Sequence, residues 1–291
     1  MTNSLHSMTG FARIETATPD GALSWEIRSV NHRYLDVQLR LPDSLRRFEH
    51  QLRKLATRTL ARGKVDCTLT LSRDSQSQQQ LNINPDALAA LRAATDTVQQ
   101  TLPAAESPAV IEVLRWPGVL QDRERDDEAL ADPLLDGFRQ ALTQLVSMRR
   151  VEGEHLNTLL LQRCADLDTL AKSVRKRRPA VLAACRSKML ERLERLDVSA
   201  DPNRLETELA LVAQKLDVDE ELDRLEGHLV AMRDILAAGG PCGRKLDFLI
   251  QELNREANTL ASKAADAATT SDAVDMKVAI EQMREQVQNV E

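Results

Sequence analysis

The sequence predicts an α+β protein: a small N-terminal antiparallel-sheet domain that contains one helix, followed by an all-α bundle of long helices. The first observation is a change of period, because apolar residues alternate in four short segments before residue 74 and recur at helical spacing after residue 85. The second is composition, since the 291 residues include two tryptophans, one tyrosine, four phenylalanines, 10 glycines and 10 prolines. So few aromatic and turn-forming residues disfavour an all-β sandwich.

The first domain is predicted over residues 1–74, and it extends to about residue 150 if the following helices belong to it. Its strands are predicted where apolar and polar side chains alternate, as they do in a strand with one buried face. Pro42 opens a helix that ends at Gly63, so the predicted order is β-β-β-α-β. The four predicted strands cover residues 7–16, 23–30, 34–41 and 64–72.

Helical periodicity dominates the rest of the chain. Residues 75–132 are predicted to be a linker with a helical connector, and residues 133–291 a C-terminal domain of long helices. Long amphipathic helices need partners that cover their apolar stripes, so we expect an elongated bundle and an oligomer. The predicted helices cover residues 86–101, 110–114, 133–196, 201–238, 243–265 and 272–290.

The formal net charge of −6 conceals a segregation of charge along the chain. Residues 1–74 hold 12 basic and 8 acidic side chains, residues 163–195 hold 10 and 4, and residues 196–291 hold 10 and 20. A basic region on an acidic protein is typical of a protein that binds a phosphate backbone. A solvated helix face with ion pairs explains such a region as readily. The densest basic run consists of Arg175, Lys176, Arg177 and Arg178.

Several classes of protein are disfavoured by absent patterns. No stretch reaches about 18 uninterrupted apolar residues and the N-terminus lacks an apolar signal core, so we expect a cytoplasmic protein without a membrane span. The four cysteines form no Cys-x-x-Cys pair, which excludes the common zinc motifs. The nucleotide-binding loop, the nucleophile elbow and the Rossmann glycine pattern are absent, which disfavours kinases, α/β-hydrolases and dehydrogenases.

Two acidic stretches are candidate metal sites. Glu252 and Glu256 lie four residues apart on one side of a predicted helix and could hold a hard cation between them. Asn258 lies in the same predicted helix, and because asparagine is a mediocre helix former, helix propensity does not explain its presence there. In the other stretch, Asp217 and Glu221 share a helix side, where a solvated acidic face is the simpler explanation.

A further candidate region follows the second predicted strand. Arg28 and Arg33 are suited to phosphate contacts, and Asn31 lies between them. His32 can transfer a proton near neutral pH, although a histidine in a turn is more often simply solvated. We therefore treat His32 as a secondary candidate for catalysis.

Five segments of the chain carry long motifs: residues 7–13 (SMTGFAR), 28–36 (RSVNHRYLD), 62–65 (RGKV), 243–265 (GRKLDFLIQELNREANTLASKAA) and 280–289 (IEQMREQVQN). In this order they resemble the YicC family, and the resemblance spans nearly the whole chain. It is weakest at about residues 74–135. The resemblance implies a cytosolic bacterial endoribonuclease that depends on a divalent metal ion, Mn²⁺ or Mg²⁺, and encloses RNA in a homohexamer.

The resemblance and the residue pattern together lead to a hypothesis for each site. Carboxylates of the C-terminal helices would hold metal, and basic side chains would orient the RNA backbone and offset charge on the scissile phosphate. The expected catalytic residues are Glu252, Glu256, Asp247 and His32. The expected metal ligands are Glu252, Glu256, Asp217, Glu221 and Glu281. The expected RNA-binding residues are Arg28, Asn31, Arg33, Lys64, Arg175, Lys176, Arg177, Arg178, Arg244, Lys245, Arg255, Asn258 and Lys263.

Two questions stay open at this level. The attacking group is either a metal-activated water or the RNA 2′-hydroxyl, which His32 would deprotonate to leave a 2′,3′-cyclic phosphate. The competing class is a non-catalytic RNA-binding or scaffold protein built on a helical oligomer, in which the carboxylates only pair with basic side chains of neighbouring helices.

Overall fold

The computed structural model describes residues 4–18, 21–73, 82–102, 104, 106–121, 129–195 and 202–291. Its N-terminal part, which we call the sheet lobe, is a four-stranded sheet with one α-helix. The elements are β1 (Gly10–Thr18), β2 (Gly21–Val30), β3 (Leu35–Arg40), a 3₁₀ helix (Asp43–Phe48), α1 (Glu49–Thr59) and β4 (Gly63–Arg73). The predicted order β-β-β-α-β is confirmed, although β1 begins at Gly10 and not at residue 7.

The sheet is mixed, with strand order β1-β2-β4-β3. β1 pairs antiparallel with β2, and β2 with β4, so that Ala12 lies opposite Ile27 and Ile27 opposite Cys67. β3 and β4 are parallel. The antiparallel prediction is correct for two of the three pairs and wrong for this last one, because the 3₁₀ helix and α1 carry the chain back before β4 begins.

The core of the sheet lobe lies between the sheet, α1 and the first part of a long helix, α4 (Ala131–Arg195). Trp25 and Phe138 are completely buried there, and their ring centroids are 4.7 Å apart. Trp25 Nε1 also donates a hydrogen bond to the Leu134 carbonyl at 3.0 Å. These contacts fix the start of α4 on the sheet.

A helical extension, residues 82–121, precedes α4 in the chain. The Asn84 side chain caps its first helix by accepting hydrogen bonds from two backbone N–H groups of the first turn. Neither of its helices contains a buried residue. Residue 74 of the predicted first domain and residues 75–81 and 122–128 of the predicted linker lie outside the described residues. The extension consists of β5 (Asn82–Ile83), α2 (Pro85–Thr101), α3 (Val110–Arg115) and β6 (Leu120–Gln121).

Helix α4 takes part in both cores of the molecule. It is 65 residues long, and its side chains up to Leu145 pack in the sheet lobe, whereas those from Leu156 onward pack in a second core. Residues 196–201, which contain the predicted end of this helix and the start of the next, lie outside the described residues. The helices that follow are α5 (Pro202–Lys215), α6 (Asp219–Ala238), α7 (Gly243–Lys263) and α8 (Ala267–Val287).

The predicted single helix over residues 201–238 is wrong, because the chain breaks between α5 and α6. The Asp217 side chain accepts a hydrogen bond from the Asp219 N–H at 3.0 Å, and so satisfies a backbone donor where α6 begins. The N-cap of α6 is Val218, which makes no capping hydrogen bond through its side chain, so Asp217 acts from one position before the cap.

The second part of α4 forms a four-helix bundle with α6, α7 and α8, in which α6 lies between α4 and α7, and α8 between α7 and α4. We call this unit the bundle. Its core is apolar, and Leu225, Leu229, Leu253 and Ile280 are completely buried. Among the described residues, none of the helices combines the length and apolar character needed to cross a membrane.

The N-terminal segment returns to the end of α8. Ser7 forms an antiparallel bridge with Val290, and the Met8 N–H donates a hydrogen bond to the Asn289 carbonyl at 2.7 Å. Arg149 of α4 is buried at the same place, where its Nε donates to the Ser7 carbonyl at 2.6 Å. This junction holds the sheet lobe against one end of the bundle.

Candidate active site

Three side chains that commonly ligate metals meet between α6 and α7. His228 comes from α6, Glu252 and Glu256 come from α7, and one donor atom of each lies within 4.8 Å of the other two. Glu256 is buried, with 3% of its surface exposed, whereas His228 and Glu252 are half-buried. Solvent therefore reaches the group through two of its members. We call it the His-Glu-Glu cluster.

Helical spacing accounts for the position of each member. Glu252 and Glu256 are one turn apart and adjoin the buried Leu253 and Ala257, so they lie at the edge of the apolar stripe of α7. His228 adjoins the buried Leu229 of α6 in the same way. Because α6 and α7 are neighbours in the bundle, the two edges face each other.

The structure thus brings Glu252 and Glu256 together and adds His228, which was absent from the predicted site. A helical wheel does place His228 on the same side of α6 as Arg224 and Glu221, four and seven residues before it. That periodicity was the one signal in the sequence that could have pointed to His228. It does not show that α7 lies against this side of α6.

Two arginines flank the cluster. Arg224 Nη1 lies 3.8 Å from Glu256 Oε1, and Arg255 Nη1 lies 4.0 Å from Glu252 Oε2. Both arginines are exposed, so these ion pairs are loose and weakly stabilising. Arg224 also forms a close ion pair with Glu220, one turn before it in α6, whereas the 4.0 Å contact with Glu252 is the one ion pair of Arg255 among the described residues.

Glu221, a predicted metal ligand, pairs with Lys263 and lies outside the cluster. Lys263 Nζ is 2.8 Å from Glu221 Oε1, while Glu221 Oε2 is buried without a hydrogen-bond partner among the described residues. Along α6, Glu221 lies about 10 Å before His228 at the rise of an α-helix. This pair links α6 to the end of α7.

Asp217 also lies apart from the cluster, at the start of α6. Arg178 Nη2 donates a hydrogen bond to its Oδ1 at 2.7 Å. The hydrogen bond from the Asp219 N–H, together with the nearby Arg178 charge, holds the pKa of the Asp217 carboxyl below its ordinary value. The hydrogen bond from the first backbone N–H of α6 and the ion pair with Arg178 therefore account for this residue.

The remaining predicted acidic residues have other partners. Glu281 is exposed on α8, with its Oε1 3.7 Å from Arg284 Nη1. Asp247 accepts a hydrogen bond from Gln251 Nε2 at 2.9 Å. Neither belongs to the His-Glu-Glu cluster.

Three of the four cations in the run 175–178 are paired with carboxylates of the bundle, as the ion-pair explanation of this run predicts. Lys176 is exposed. The arginines join α4 to the start of α6 and to α8, so their charge is already balanced within the chain. The pairs are Arg175 with Asp223 and Glu226, Arg177 with Asp272, and Arg178 with Asp217 and Asp219.

The predicted basic region after β2 is an exposed loop beside the end of α8. Asn31 Nδ2 donates a hydrogen bond to the Gln288 carbonyl at 2.6 Å. Lys64, on β4, is paired in the sheet with Val30 at the end of β2, which brings it to the same edge. We call this surface the basic loop patch. It comprises Arg28, Asn31, His32, Arg33 and Lys64.

His32 Nδ1 lies 2.9 Å from the Tyr34 carbonyl and 3.4 Å from the Tyr34 N–H. A ring protonated at Nδ1 donates to the carbonyl, and a ring protonated only at Nε2 accepts from the N–H. Both contacts hold the ring against the backbone of the same loop.

Within a single chain, His32 lies far from the His-Glu-Glu cluster. His32 lies next to the end of α8, where Gly243, the first residue of α7, packs against the Val290 carbonyl. Glu252 is nine residues further along α7, which corresponds to about 14 Å of helix. The basic loop patch and the cluster are therefore separate surfaces of the same chain.

The other predicted RNA-binding residues lie on α7. Arg244 and Lys245 are exposed in its first turn, close to the basic loop patch. Arg255 and Asn258 line a groove of about 450 Å³ between α7 and α8. The cluster faces α6 and the groove faces α8, so α7 presents two different polar sides.

These features define a class: a two-lobed α+β protein that carries an acidic, histidine-containing cluster and, apart from it, exposed basic side chains on the loop after β2 and at the start of α7. Comparison with known proteins identifies the family. Residues 5–158 match the family model described as the N-terminal region of endoribonuclease YicC-like proteins, and residues 174–291 match the corresponding C-terminal model. The chain belongs to the YicC-like endoribonuclease family.

Two relatives match over almost their whole length. The probable endoribonuclease YicC of Haemophilus influenzae is 43% identical over 293 residues, which cover 99% of this chain and 100% of the relative. The probable endoribonuclease YicC of Clostridioides difficile is 32% identical over 292 residues, which cover 98% and 99%. The family resemblance of the sequence motifs is thereby confirmed.

Proposed function

We propose that this protein is an endoribonuclease that hydrolyses phosphodiester bonds in structured or small RNA, with a divalent metal ion held by the His-Glu-Glu cluster. The family and the names of its relatives support the reaction class. The observation that carries the metal assignment is geometric. Among the described residues, His228, Glu252 and Glu256 form the one group of three such side chains with donor atoms close enough to share an ion.

The donor set favours Mn²⁺ over Mg²⁺. Mg²⁺ is usually held by oxygen ligands, whereas imidazole suits transition metals, and Mn²⁺ also accepts carboxylates. Glu256 is buried, and its ion pair with Arg224 is long, at 3.8 Å. A buried carboxylate without a close counter-charge is unfavourable, so a cation fits here.

Each residue around the cluster has a role in the proposed reaction. His228, Glu252 and Glu256 would hold the ion. A divalent ion bound there would lower the pKa of a coordinated water and stabilise charge on the phosphate oxygens. Arg255 binds the scissile phosphate, because it is exposed beside the cluster and its one ion pair among the described residues is long. Arg224 joins it only after giving up its close ion pair with Glu220.

The basic loop patch is the proposed surface that captures the RNA backbone. Arg28 and Arg33 are exposed there, and Arg244 and Lys245 continue the positive charge onto α7. Phosphate contacts of this kind release counterions, so RNA affinity should fall steeply with salt. In the run 175–178, we assign contact with the RNA backbone to Lys176 alone, because each of the three arginines would first have to give up its ion pairs within the chain.

We propose further that a homohexamer encloses the RNA. The helical extension supports an oligomer, because it leaves apolar side chains uncovered: Val110 is 76% exposed and Trp116 is 57% exposed. In an assembly, the basic loop patch of one chain can lie opposite the cluster of another. Size-exclusion chromatography with light scattering tests the hexamer, and a monomer at micromolar concentration would contradict it.

Cleavage and metal binding are tested together. A labelled hairpin RNA is incubated with the protein in Mn²⁺, in Mg²⁺ and in EDTA, and Mn²⁺ affinity is measured separately by electron paramagnetic resonance. We expect cleavage in Mn²⁺ and none in EDTA. Glu252→Gln and Glu256→Gln, which keep the side-chain shape, should each lower the cleavage rate at least about a hundredfold and weaken Mn²⁺ binding.

The matched control is Asp234→Asn, an exposed carboxylate of α6 outside the cluster. It should leave both the cleavage rate and Mn²⁺ affinity unchanged. If the Gln variants cut RNA at the wild-type rate, the metal assignment is wrong although the enzyme class stands. If the protein binds RNA and never cuts it with any metal, the non-catalytic RNA-binding alternative is correct.

A modified substrate distinguishes the two possible attacking groups, water and the RNA 2′-hydroxyl. An RNA with a single 2′-deoxy sugar at the cleavage site is compared with the unmodified RNA. Continued cleavage at that site indicates attack by water. Loss of cleavage only at that site indicates attack by the 2′-hydroxyl, with His32 as the candidate base.

A further inference from the structure

A groove lies along α7 on the side that faces Arg284 of α8. Its volume is about 450 Å³, which lies within the usual range of about 300–1,000 Å³ for small-ligand sites. Apart from Ile250, the side chains that line it are polar. They are Gln251, Asn254, Arg255, Asn258, Thr259 and Arg284.

The asparagines leave a donor and an acceptor for a ligand. Asn258 Nδ2 donates a hydrogen bond to Asn254 Oδ1 at 2.8 Å. This contact orients both amides, so that Asn254 Nδ2 remains a donor and Asn258 Oδ1 remains an acceptor. A paired donor and acceptor is the pattern that matches the edge of a nucleobase.

The cations of the groove suit the phosphates that flank such a base. Arg284, at the α8 side, is exposed and is 3.7 Å from the exposed Glu281, so its ion pair is weak. Arg255, at the α7 side, is 4.0 Å from Glu252 of the His-Glu-Glu cluster. The groove therefore adjoins the cluster, and Arg255 belongs to both.

An aromatic side chain is available beside these groups. Phe248 is 59% exposed, and it precedes Gln251 and Glu252 by three and four residues, so all three lie on neighbouring positions of one helix side. An exposed ring on a polar helix side offers a surface on which a base can stack.

We propose that this groove binds one unpaired nucleotide of the substrate, immediately next to the cleavage site. The proposal rests on the proposed endoribonuclease function for the identity of the polymer. An unpaired nucleotide is required, because only a base outside a duplex presents both its edge and its ring to protein side chains. A second copy of this chain is a poorer occupant, since six of the seven lining side chains carry polar groups, whereas the exposed apolar side chains of α2 and α3 offer a better protein interface.

Binding without cleavage tests the groove independently of the reaction. Fluorescence anisotropy in EDTA compares a short single-stranded RNA with a fully paired RNA duplex of the same length. Asn254→Ala/Asn258→Ala should raise the Kd for single-stranded RNA about tenfold and leave the duplex Kd unchanged. Phe248→Ala should act in the same direction, and the control Gln144→Ala, an exposed amide of α4, should change neither Kd.

The asparagine variant should remain folded, because alanine is the better helix former at both positions. Circular dichroism checks this. Equal weakening for both RNAs, no weakening for either, or no measurable binding of single-stranded RNA by the wild-type protein would each overturn the groove assignment.

The same variants distinguish this inference from the proposed function. In Mn²⁺, the asparagine variant should raise KM about tenfold and leave kcat unchanged, since the groove contributes binding and not chemistry. Wild-type protein that prefers single-stranded RNA yet never cuts it disproves the endoribonuclease proposal and leaves the groove intact. Cleavage with an unaltered Kd in the variant disproves the groove and leaves the endoribonuclease intact.

Discussion

The guanidinium of Arg149 lies against the carboxylate of Glu291, although 142 residues separate the two in the chain. Arg149 is 3% exposed and Glu291 15%. Burial lowers the pKa of Arg149, and the Glu291 charge opposes that effect. Since the same guanidinium also donates to the Ser7 carbonyl, one buried cation connects α4, the N-terminal segment and the residue that follows the bridge at Val290.

Removing this cation should destabilise the junction. Arg149→Met leaves the Glu291 carboxylate and the Ser7 carbonyl without their donor, so we expect a loss of about 3 kcal/mol in the free energy of unfolding. Urea unfolding followed by circular dichroism measures it. The neighbouring Arg150→Met removes an exposed arginine that is 3.9 Å from Glu154, and should cost less than about 0.5 kcal/mol. Equal costs for the two variants would contradict the role of the junction.

Two glycines in helices should respond to alanine in opposite directions. A Cβ at Gly153 of α4 would overlap the Leu5 carbonyl, so the N-terminal segment must move and stability should fall by about 1–3 kcal/mol. A Cβ at Gly227 of α6 meets no described residue within 4 Å, and Gly227→Ala should add about 0.5–1 kcal/mol through helix propensity. Thermal melting of both variants shows the sign of each change. A stable Gly153→Ala protein would mean that the close packing of Leu5 on α4 is dispensable.

The stability contributed by Asp217 should depend on pH. Its pKa is lowered in the folded protein, so the carboxylate stabilises the fold above the ordinary pKa of 3.8, and the contribution is lost as the pH falls through the lower folded value. Asp217→Asn retains an oxygen that can accept from the Asp219 N–H and removes only the charge. Because the side chain is 55% exposed, we expect a cost below about 1 kcal/mol at pH 7, shrinking at acidic pH. Urea midpoints from pH 7 to pH 2.5 measure this trend, and a cost that grows on acidification would contradict it.

Of the four cysteines, Cys185 should be the reactive one. Burial raises the pKa of Cys67 to about 12 and that of Cys164 to about 11, and it also raises the pKa of Cys242. Since the thiolate is the nucleophile, these three thiols should react slowly in the folded protein. Cys185 is half-buried. Ellman's reagent should therefore titrate one thiol rapidly at neutral pH, and Cys185→Ser should abolish that phase. Rapid reaction of further thiols in the folded variant would contradict the burial.

His228 should set the metal preference of the cluster. His228→Asp replaces the imidazole with a third carboxylate, which gives an all-oxygen donor set. We expect the ratio of Mn²⁺ to Mg²⁺ affinity to fall about tenfold or more, because imidazole favours the transition metal. Competition of Mg²⁺ against Mn²⁺, followed by electron paramagnetic resonance, measures the ratio. An unchanged ratio in a folded variant would remove His228 from the cluster.

Local periodicity was sufficient to predict most secondary-structure elements. The alternating segments before residue 74 became strands of the sheet lobe, and Glu252 and Glu256 came together because four residues are close to one helical turn. The break before α6 was missed, since the apolar stripe continues on both sides of it and the hydrogen bond that marks it involves a single side chain, that of Asp217. The parallel pairing of β3 with β4 was also missed, because alternation shows which residues face the core and not which strand lies alongside.

The sequence by itself determined the α+β class, the family, the long helices and the pair of glutamates on α7, since all of these depend on spacing along the chain or on motifs within it. Only the tertiary structure decided what lies across each helix. It placed His228 opposite the glutamates, neutralised Arg175, Arg177 and Arg178 with carboxylates of other helices, and kept His32 away from the cluster. The physical reason is that helical periodicity specifies the direction of a side chain around its own axis, whereas its partner depends on the packing of whole helices.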